Sequence, residues 1–200
     1  MPRALTESER AAVQERLLSR GRDRFVRYGL SKTTVEALAS DAGIGKGSFY
    51  QFFSSKEALF MAIARREEQT FRDAVVTELD AIADPREAVM ALLRAPMTRL
   101  VEHPLLNLLL DPDTIAALSL RLPPQELQAN EDGDREFFVA LAKDWIAKGR
   151  IRKDIEPEEV FHGLSGVFLV ALQRELLGPD AAAGAMDTIA TALCDRWCSR

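Results

Sequence analysis

Residues 25–60 read FVRYGLSKTTVEALASDAGIGKGSFYQFFSSKEALF, and this stretch decides the fold. Its apolar residues recur with helical spacing on both sides of a turn that contains two glycines. The first of two short helices is predicted to begin at Thr33 or Thr34, because Thr33 and Glu36 have the spacing of a capping box. Gly43 is predicted to end it, since glycine adopts the backbone angles that a turn needs. The stretch therefore predicts a helix-turn-helix.

The second short helix is predicted to begin at Lys46 and to have one polar face. Phe49 and Phe53 lie four residues apart and would anchor the other face against neighbouring helices. The outward face carries small, hydrogen-bonding and cationic residues, namely Lys46, Gly47, Ser48, Tyr50 and Gln51. Such residues suit the major groove of DNA, so we interpret this face as a recognition surface.

Many positions of this segment form a dense pattern with fixed spacing. They are Phe25, Gly29, Thr33-Thr34-Val35, Ala39, Ala42-Gly43, Gly47-Ser48-Phe49-Tyr50, Phe53, Lys56-Glu57 and Leu59. At these positions the chain resembles the tetracycline-repressor-like (TetR) family of bacterial transcriptional regulators. The resemblance implies an all-α fold with an N-terminal three-helix DNA-binding domain. A larger C-terminal helical domain for ligand binding and dimerisation follows in that family.

The resemblance also implies phosphate contacts. Thr33 and Thr34 lie near a helix N-terminus, where hydroxyls and backbone N–H groups bind phosphate, although helix capping explains them as well. Tyr50 and Lys56 resemble phosphate clamps; the alternatives are a partly buried tyrosine and a solvated surface lysine. The chain departs from the family at Phe52, where a polar residue such as histidine is frequent, so one phosphate contact is expected to be missing.

Base contacts are expected from the second short helix. The candidates are Lys46, Ser48 and Gln51, since lysine can bind guanine or phosphate and glutamine can pair with adenine. Gly47 would let the backbone approach the DNA closely. The operator sequence does not follow from these residues, because side-chain geometry and DNA shape both contribute to it.

Charge is distributed unevenly along the chain. The net charge is −5, yet residues 1–60 contain 10 Lys/Arg against 7 Asp/Glu, and residues 61–200 contain 16 against 24. The basic excess therefore lies in the expected DNA-binding domain. The opening helix contributes several arginines to it, although solvated surface charges explain most of them equally: Arg16, Arg20, Arg22, Arg24 and Arg27.

The rest of the chain is also predicted to be helical, which places the domains at 1–60 and 61–200. A long fourth helix, capped by Ser54 or Ser55, is expected to run to about residue 80. Asp84-Pro85 marks the next helix start, and further long helices are expected to end near residues 149, 177 and 197.

The penultimate helix is apolar on most of its circumference, so it is expected to be buried on more than one side. One side would pack on its own domain and the other on a second subunit, as in the resembled family. The residues expected at this interface are Gly163, Gly166, Val167 and Val170. A twofold dimer would present two recognition helices to a palindromic operator.

A ligand pocket is expected in the C-terminal domain on the strength of the resemblance. Its candidates are polar or aromatic residues among apolar ones, although ordinary core or surface positions explain each of them. They are Met97, His103, Asn107, Phe138, Trp145, His162, Phe168 and Gln173. Because no dense cationic cluster accompanies the apolar positions, a hydrophobic or amphipathic effector is expected.

Enzymatic chemistry is not indicated. Two histidines, two cysteines and the lack of a phosphate loop or nucleophile motif predict no catalytic site, no metal site and no cofactor. Cys194 and Cys198 share a helix face; packing explains them, and thiol redox sensing is the alternative. The charged N-terminus resembles no signal peptide and no apolar run is long enough for a membrane span, so a cytoplasmic protein is expected.

Two functions remain open from the sequence. The first is a dimeric repressor of a palindromic operator, released by a small molecule. The second is a dimeric activator or architectural protein without an effector, whose C-terminal domain contacts other proteins. A carrier of acyl or drug molecules that has kept the fold is a third class, which the intact segment 33–56 disfavours. The regulated genes and the identity of an effector do not follow from the residues.

Overall fold

The computed structural model describes residues 6–198, and all of its regular elements there are helical. The helices are α1 (Glu7–Tyr28), α2 (Val35–Asp41), α3 (Lys46–Phe49), α4 (Lys56–Asp80), α5 (Pro85–Ala95), α6 (Pro112–Arg121), α7 (Pro124–Ala147), α8 (Pro157–Leu172), α9 (Arg174–Leu177) and α10 (Pro179–Trp197). A π-helical turn spans Pro96–Leu100 and a 3-10 helix spans Leu106–Leu110. The predicted all-α class is confirmed. Within residues 6–198, every helix is too short or too polar to cross a bilayer.

The chain divides into two compact units. The first unit contains the residues up to Thr70 together with Pro104–Leu122, and the second contains Phe71–His103 and Pro123 onward. Helix α4 therefore contributes residues to both units.

Helix α1 forms as its sequence predicts. The Thr6 hydroxyl accepts a hydrogen bond from the Glu9 N–H, and the Glu9 carboxylate accepts one from the Thr6 N–H, which completes a capping box. Val13, Leu17, Gly21 and Phe25 recur with helical spacing and form the buried stripe of the helix, and Gly29 ends it at φ 74°. Because the cap and the stripe depend on residues within one helix, the sequence alone predicts them.

The core of the first unit joins α1 to α4. Phe25 meets Phe60 edge to face, with 5.2 Å between ring centroids. Gly21 lets the two helices approach closely, since an added Cβ would lie 3.1 Å from side-chain atoms of Leu59 and Ile63. Ser55 caps α4 by accepting a hydrogen bond from the Ala58 N–H, which selects one of the two predicted caps.

The second unit has its own core, built from the apolar faces of α5, α7, α8 and α10. Trp145 of α7 and Trp197 of α10 are fully buried within it. Asp84 caps α5 ahead of Pro85, as predicted. Two ion pairs across the α5 and α10 surfaces, Arg86–Asp195 and Arg94–Asp187, have the same eight-residue spacing on both helices and fix their antiparallel alignment.

Most of the α8 residues predicted for a dimer interface pack within their own domain. A Cβ at Gly163 would lie 2.6 Å from Cζ2 of Trp197, so Gly163 serves close packing within the chain. Val167 is fully buried and Val170 packs on the same core. Val167 has no surface left for a second subunit, so its predicted interface contact is wrong, whereas the contacts predicted for the half-buried Gly163 and Val170 stay predictions. Gly166 differs from Gly163, because an added Cβ at Gly166 would meet nothing within 4 Å.

Cys194 and Cys198 are buried as free thiols, with 3.9 Å between their Sγ atoms. Burial raises the pKa of the Cys198 thiol to about 12, and the neighbouring Cys194 adds to the effect. The thiol is therefore protonated at neutral pH, which agrees with a packing role.

Replacing Gly163 by alanine should destabilise the second unit, because the new methyl group overlaps the Trp197 ring. Overpacking of this kind costs about 1–3 kcal/mol, which exceeds the helix-propensity gain of up to about 1 kcal/mol. Denaturant unfolding measures the difference. Gly133→Ala in α7 is the matched control: an added Cβ there meets nothing within 4 Å, so stability should stay equal or rise. Equal stabilities for both variants would contradict the packing described.

Candidate nucleic-acid interface

Helix α3 packs against the protein on one side and is exposed to solvent on the other. Phe49 is its fully buried residue and contacts Phe53 at 6.2 Å between ring centroids. Lys46, Gly47 and Gln51 are exposed, as is Tyr50, whose side chain remains 52% accessible. The predicted outward face is therefore solvent-facing, with Ser48 half-buried at its edge. Open space around Gly47 leaves its backbone accessible to a ligand.

The two threonines before α2 have different roles. Thr34 is exposed and caps α2, because its hydroxyl accepts a hydrogen bond from the Ala37 N–H at 3.3 Å. Thr33 is fully buried, and its hydroxyl donates to the Gly29 carbonyl at 2.8 Å. The Thr33–Glu36 capping box and the predicted Thr33 side-chain contact to phosphate are therefore wrong, since this hydroxyl is enclosed and already used. Thr34 remains positioned for a phosphate at the start of α2.

Lys56 stabilises the loop between α1 and α2. Its Nζ donates to the carbonyls of Leu30 at 2.8 Å, Thr33 at 2.9 Å and Ser31 at 3.4 Å. An ammonium group has three protons, so these acceptors occupy its full donor capacity. The prediction that Lys56 clamps a phosphate directly is corrected: its hydrogen bonds position the loop, and its charge raises the local potential.

Lys46 forms an ion pair with Glu36 on the exposed surface. The Glu36 carboxylate raises the pKa of Lys46, and the ammonium in turn lowers the pKa of Glu36. Because both groups are solvent-exposed, the pair is weak and can exchange for a base or phosphate contact. Lys46 therefore stays a candidate for a base contact. Its ion pair with Glu36 must break before it can bind DNA.

Arginines of α1 support the helix-turn-helix, a role that the sequence analysis missed. Arg10 donates to the Gln51 carbonyl at 2.8 Å and stacks over the ring of Phe52 at 5.1 Å. Arg16 donates to the Ala42 carbonyl at 3.0 Å, at the end of α2. These bonds join residues 26 and 41 positions apart, and no local sequence signal marks them.

Other α1 arginines are neutralised by carboxylates. Arg24 pairs with Asp41 at 2.6 Å, and this pairing lowers the pKa of Asp41. Arg22 pairs with Glu67 at 2.9 Å. The positive field of the first unit is therefore weaker than the count of arginines predicts.

A cleft of about 460 Å³ collects the hydroxyls of this face, and we call it the hydroxyl cleft. Its polar lining includes Ser31, Thr34, Tyr50, Ser54, Ser55, Lys56, Glu57 and Arg121. Two cations face one carboxylate there. Hydroxyl donors around an excess of positive charge are suited to phosphate oxygens. Arg121 is a lining residue that the sequence analysis did not identify.

The eight ligand-pocket candidates have different surroundings in the structure. His162 and Gln173 are exposed, and Asn107 belongs to the first unit whereas the others belong to the second. Trp145 is enclosed in the core of the second unit, where its Nε1 donates to no described residue. Met97, Phe138 and Phe168 are partly buried, and His103 contacts Phe71 edge to face at 5.7 Å.

A groove of about 920 Å³ lies elsewhere on the second unit, along the end of α4 and the outer side of α5. Its apolar floor includes Val75, Leu79, Ile82 and Met90. Its rim carries both signs of charge, from Glu78, Asp84, Arg86, Glu87, Arg94 and Arg99. This combination suits an amphipathic molecule.

Residues 17–63 match the family model described as "Bacterial regulatory proteins, tetR family". The HTH-type transcriptional repressor Rv1474c of Mycobacterium tuberculosis is 30% identical over 203 residues, which cover 94% of this chain and 96% of that protein. The HTH-type transcriptional repressor KstR2 of Mycolicibacterium smegmatis is 27% identical over 157 residues, covering 78% of this chain and 76% of that protein.

Solved structures share the fold at lower identity. RolR in complex with resorcinol has a TM-score of 0.67 at 17% identity, covering 98% of this chain and 92% of that one. FadR from Bacillus subtilis in complex with stearoyl-CoA has a TM-score of 0.62 at 15% identity, covering 91% and 98%. The similarity extends over both units of the chain.

Replacing Lys56 by methionine should destabilise the first unit, because three carbonyls lose a charged donor. We expect the free energy of unfolding to fall by about 1–3 kcal/mol, measured with denaturant. Lys32→Met is the control with the same loss of charge, since Lys32 is exposed and has no hydrogen bond or ion pair to a described residue. A Lys56→Met protein as stable as the control would refute the role assigned to this ammonium.

Proposed function

Because this chain belongs to the TetR family of bacterial regulatory proteins, we propose that it is a dimeric repressor of a palindromic operator, released by a hydrophobic or amphipathic small molecule. Its sequence relatives are helix-turn-helix transcriptional repressors. The observation that carries the proposal is the exposed face of α3, which stands beside the hydroxyl cleft.

The α3 face and the cleft supply the two kinds of contact that operator recognition needs. Gly47 and Gln51 offer close backbone approach and an amide for a base edge. Tyr50 and Thr34 place hydroxyls for the adjacent phosphates, which fix the register of the protein on the duplex. Base contacts and phosphate contacts thus come from neighbouring residues of one unit.

A second subunit would cover the outer side of α8 and α9. Leu169 is 59% exposed one helical turn from the open Gly166, and Leu176 is 84% exposed on α9. Exposed leucines on consecutive helices are typical of an interface. The proposed interface includes Gly166, which the sequence also predicts there. Twofold symmetry would place two α3 helices on one side of a palindrome, about 34–36 Å apart.

The groove on α4 and α5 supports the proposal of a small-molecule effector. Its volume of about 920 Å³ falls within the usual range for ligand sites, and apolar residues form its floor. Neighbours of the same fold were solved with stearoyl-CoA and with resorcinol, which are amphipathic and aromatic molecules. Release of the operator by 100-fold requires about 2.7 kcal/mol of differential effector affinity between two conformations.

The second candidate function is a dimeric DNA-binding protein whose C-terminal domain contacts other proteins. The exposed leucines of α8 and α9 are apolar surface that a partner protein could also cover. An operator complex that no small molecule releases would support this function over a ligand-responsive repressor.

Selection from a random duplex pool should yield an inverted repeat, bound with a Kd of about 10⁻⁸ to 10⁻¹¹ M. Tyr50→Phe should weaken operator binding by about 3- to 10-fold per half-site, because one hydroxyl–phosphate hydrogen bond is lost. Titration of labelled duplex measures both. Tyr28→Phe removes a hydroxyl from the other tyrosine of the chain, which is also exposed, and should leave the Kd unchanged. A folded protein that selects no sequence at low salt would refute the proposed function.

Leu169→Glu should shift the protein from dimer to monomer, because the carboxylate would be desolvated against the partner helix. Sedimentation velocity over a range of concentrations measures the change. Leu120→Glu is the matched control, since Leu120 is 80% exposed on α6, a helix of the first unit that is not part of the proposed interface. Unchanged dimerisation of Leu169→Glu would place the interface elsewhere.

A further inference from the structure

Arg121 stands in the hydroxyl cleft although it is far from the helix-turn-helix in sequence. The rest of the lining comes from residues within the segments 31–35 and 50–57, and Arg121 is the last residue of α6. It lies more than 60 positions beyond the rest of the lining, so only the fold of the first unit places it there.

The backbone that carries Arg121 is fixed. Leu118 and Leu122 are buried on either side of it, and the Leu122 N–H donates to the Leu118 carbonyl. At the other end of α6, Asp111 caps the helix by accepting hydrogen bonds from the N–H and hydroxyl of Thr114. The exposed side chain therefore projects from an anchored helix.

The guanidinium of Arg121 has no partner in the part of the chain that the structure describes. Within residues 6–198 it forms no hydrogen bond and no ion pair, whereas Arg22 and Arg24 of the same unit are held by carboxylates. Lys56, the other cation of the cleft, has its donors on loop carbonyls. Arg121 is thus the cation of the cleft whose donors have no described partner, and they form a planar array that matches phosphate oxygens.

The position of Tyr50 indicates where that phosphate comes from. Tyr50 lines the cleft and is followed in the chain by Gln51 of the recognition surface. A DNA strand whose bases meet Gln51 would therefore carry its neighbouring phosphate into the cleft. Glu57 opposes an isolated anion there, while a duplex held by further contacts tolerates one nearby carboxylate.

We propose that Arg121 binds a backbone phosphate of the operator, as a DNA contact contributed by α6 outside the helix-turn-helix. This inference rests on the proposed function and adds a residue to it. Since α7 begins at Pro124, three positions after Arg121, the contact also lies at the end of the segment that leads into the second unit.

Operator binding by Arg121→Gln at several salt concentrations tests the proposal. Each lost phosphate contact reduces the slope of log K against log salt by about 0.9, so a dimer should lose about 1.8, with affinity weakened about ten-fold or more at low salt. Lys143→Gln removes one exposed positive charge from α7 and should keep the wild-type slope. Arg121→Lys should keep the slope as well, because the charge remains.

The outcomes separate this inference from the proposed function. A wild-type protein that selects no operator overturns both. Tight wild-type binding with equal slopes for Arg121→Gln and Lys143→Gln overturns only the role of Arg121. Inorganic phosphate, titrated into the DNA-free protein at constant ionic strength, distinguishes a free anion as the occupant. Saturable phosphate binding that requires Arg121, combined with an unchanged DNA slope, would overturn the proposal. Equal melting temperatures for the three variants show that folding is not the cause.

Discussion

The hydrogen bonds from Lys56 to the loop between α1 and α2 determine the geometry of the candidate DNA-binding face. They join the first residue of α4 to carbonyls of Leu30 and Thr33, directly before the cap of α2. The start of α4, the start of α2 and the hydroxyl cleft between them are therefore positioned together. Charge-assisted hydrogen bonds to partly buried carbonyls tolerate little displacement, which keeps this arrangement rigid.

Sequence reasoning succeeded where the deciding contacts are local. The capping box of α1 and its buried stripe involve residues three or four positions apart, so their spacing predicts them. The roles of Thr33 and Lys56 were missed because burial and loop carbonyls decide them, and Lys56 meets partners 23 to 26 positions away. The packing of Gly163 on Trp197 was missed for the same reason, since Trp197 lies 34 positions along the chain.

In the second unit, the rotation of each helix about its axis determines which of the ligand-pocket candidates face the interior. The fit of Gly163 against Trp197 sets the rotation of α8, and this rotation turns His162 and Gln173 towards solvent. The groove on α4 and α5 has a charged rim. In the sequence, such charged residues are typical of an ordinary solvent-exposed helix surface. Residue type alone therefore did not predict which of these side chains are exposed, whereas helix boundaries followed well from caps and prolines.

Because α3 is only four residues long, its one buried residue is distinct from the positions proposed to contact DNA. Phe49 alone is buried in this helix, and the neighbouring positions 46, 47, 50 and 51 are open to solvent. Substitutions at those positions change the surface shown to the major groove with little effect on the core. A duplicated gene can thus acquire a new binding site on the chromosome through a few surface changes. Diversification of operator preference in such a lineage proceeds without compensating mutations elsewhere in the protein.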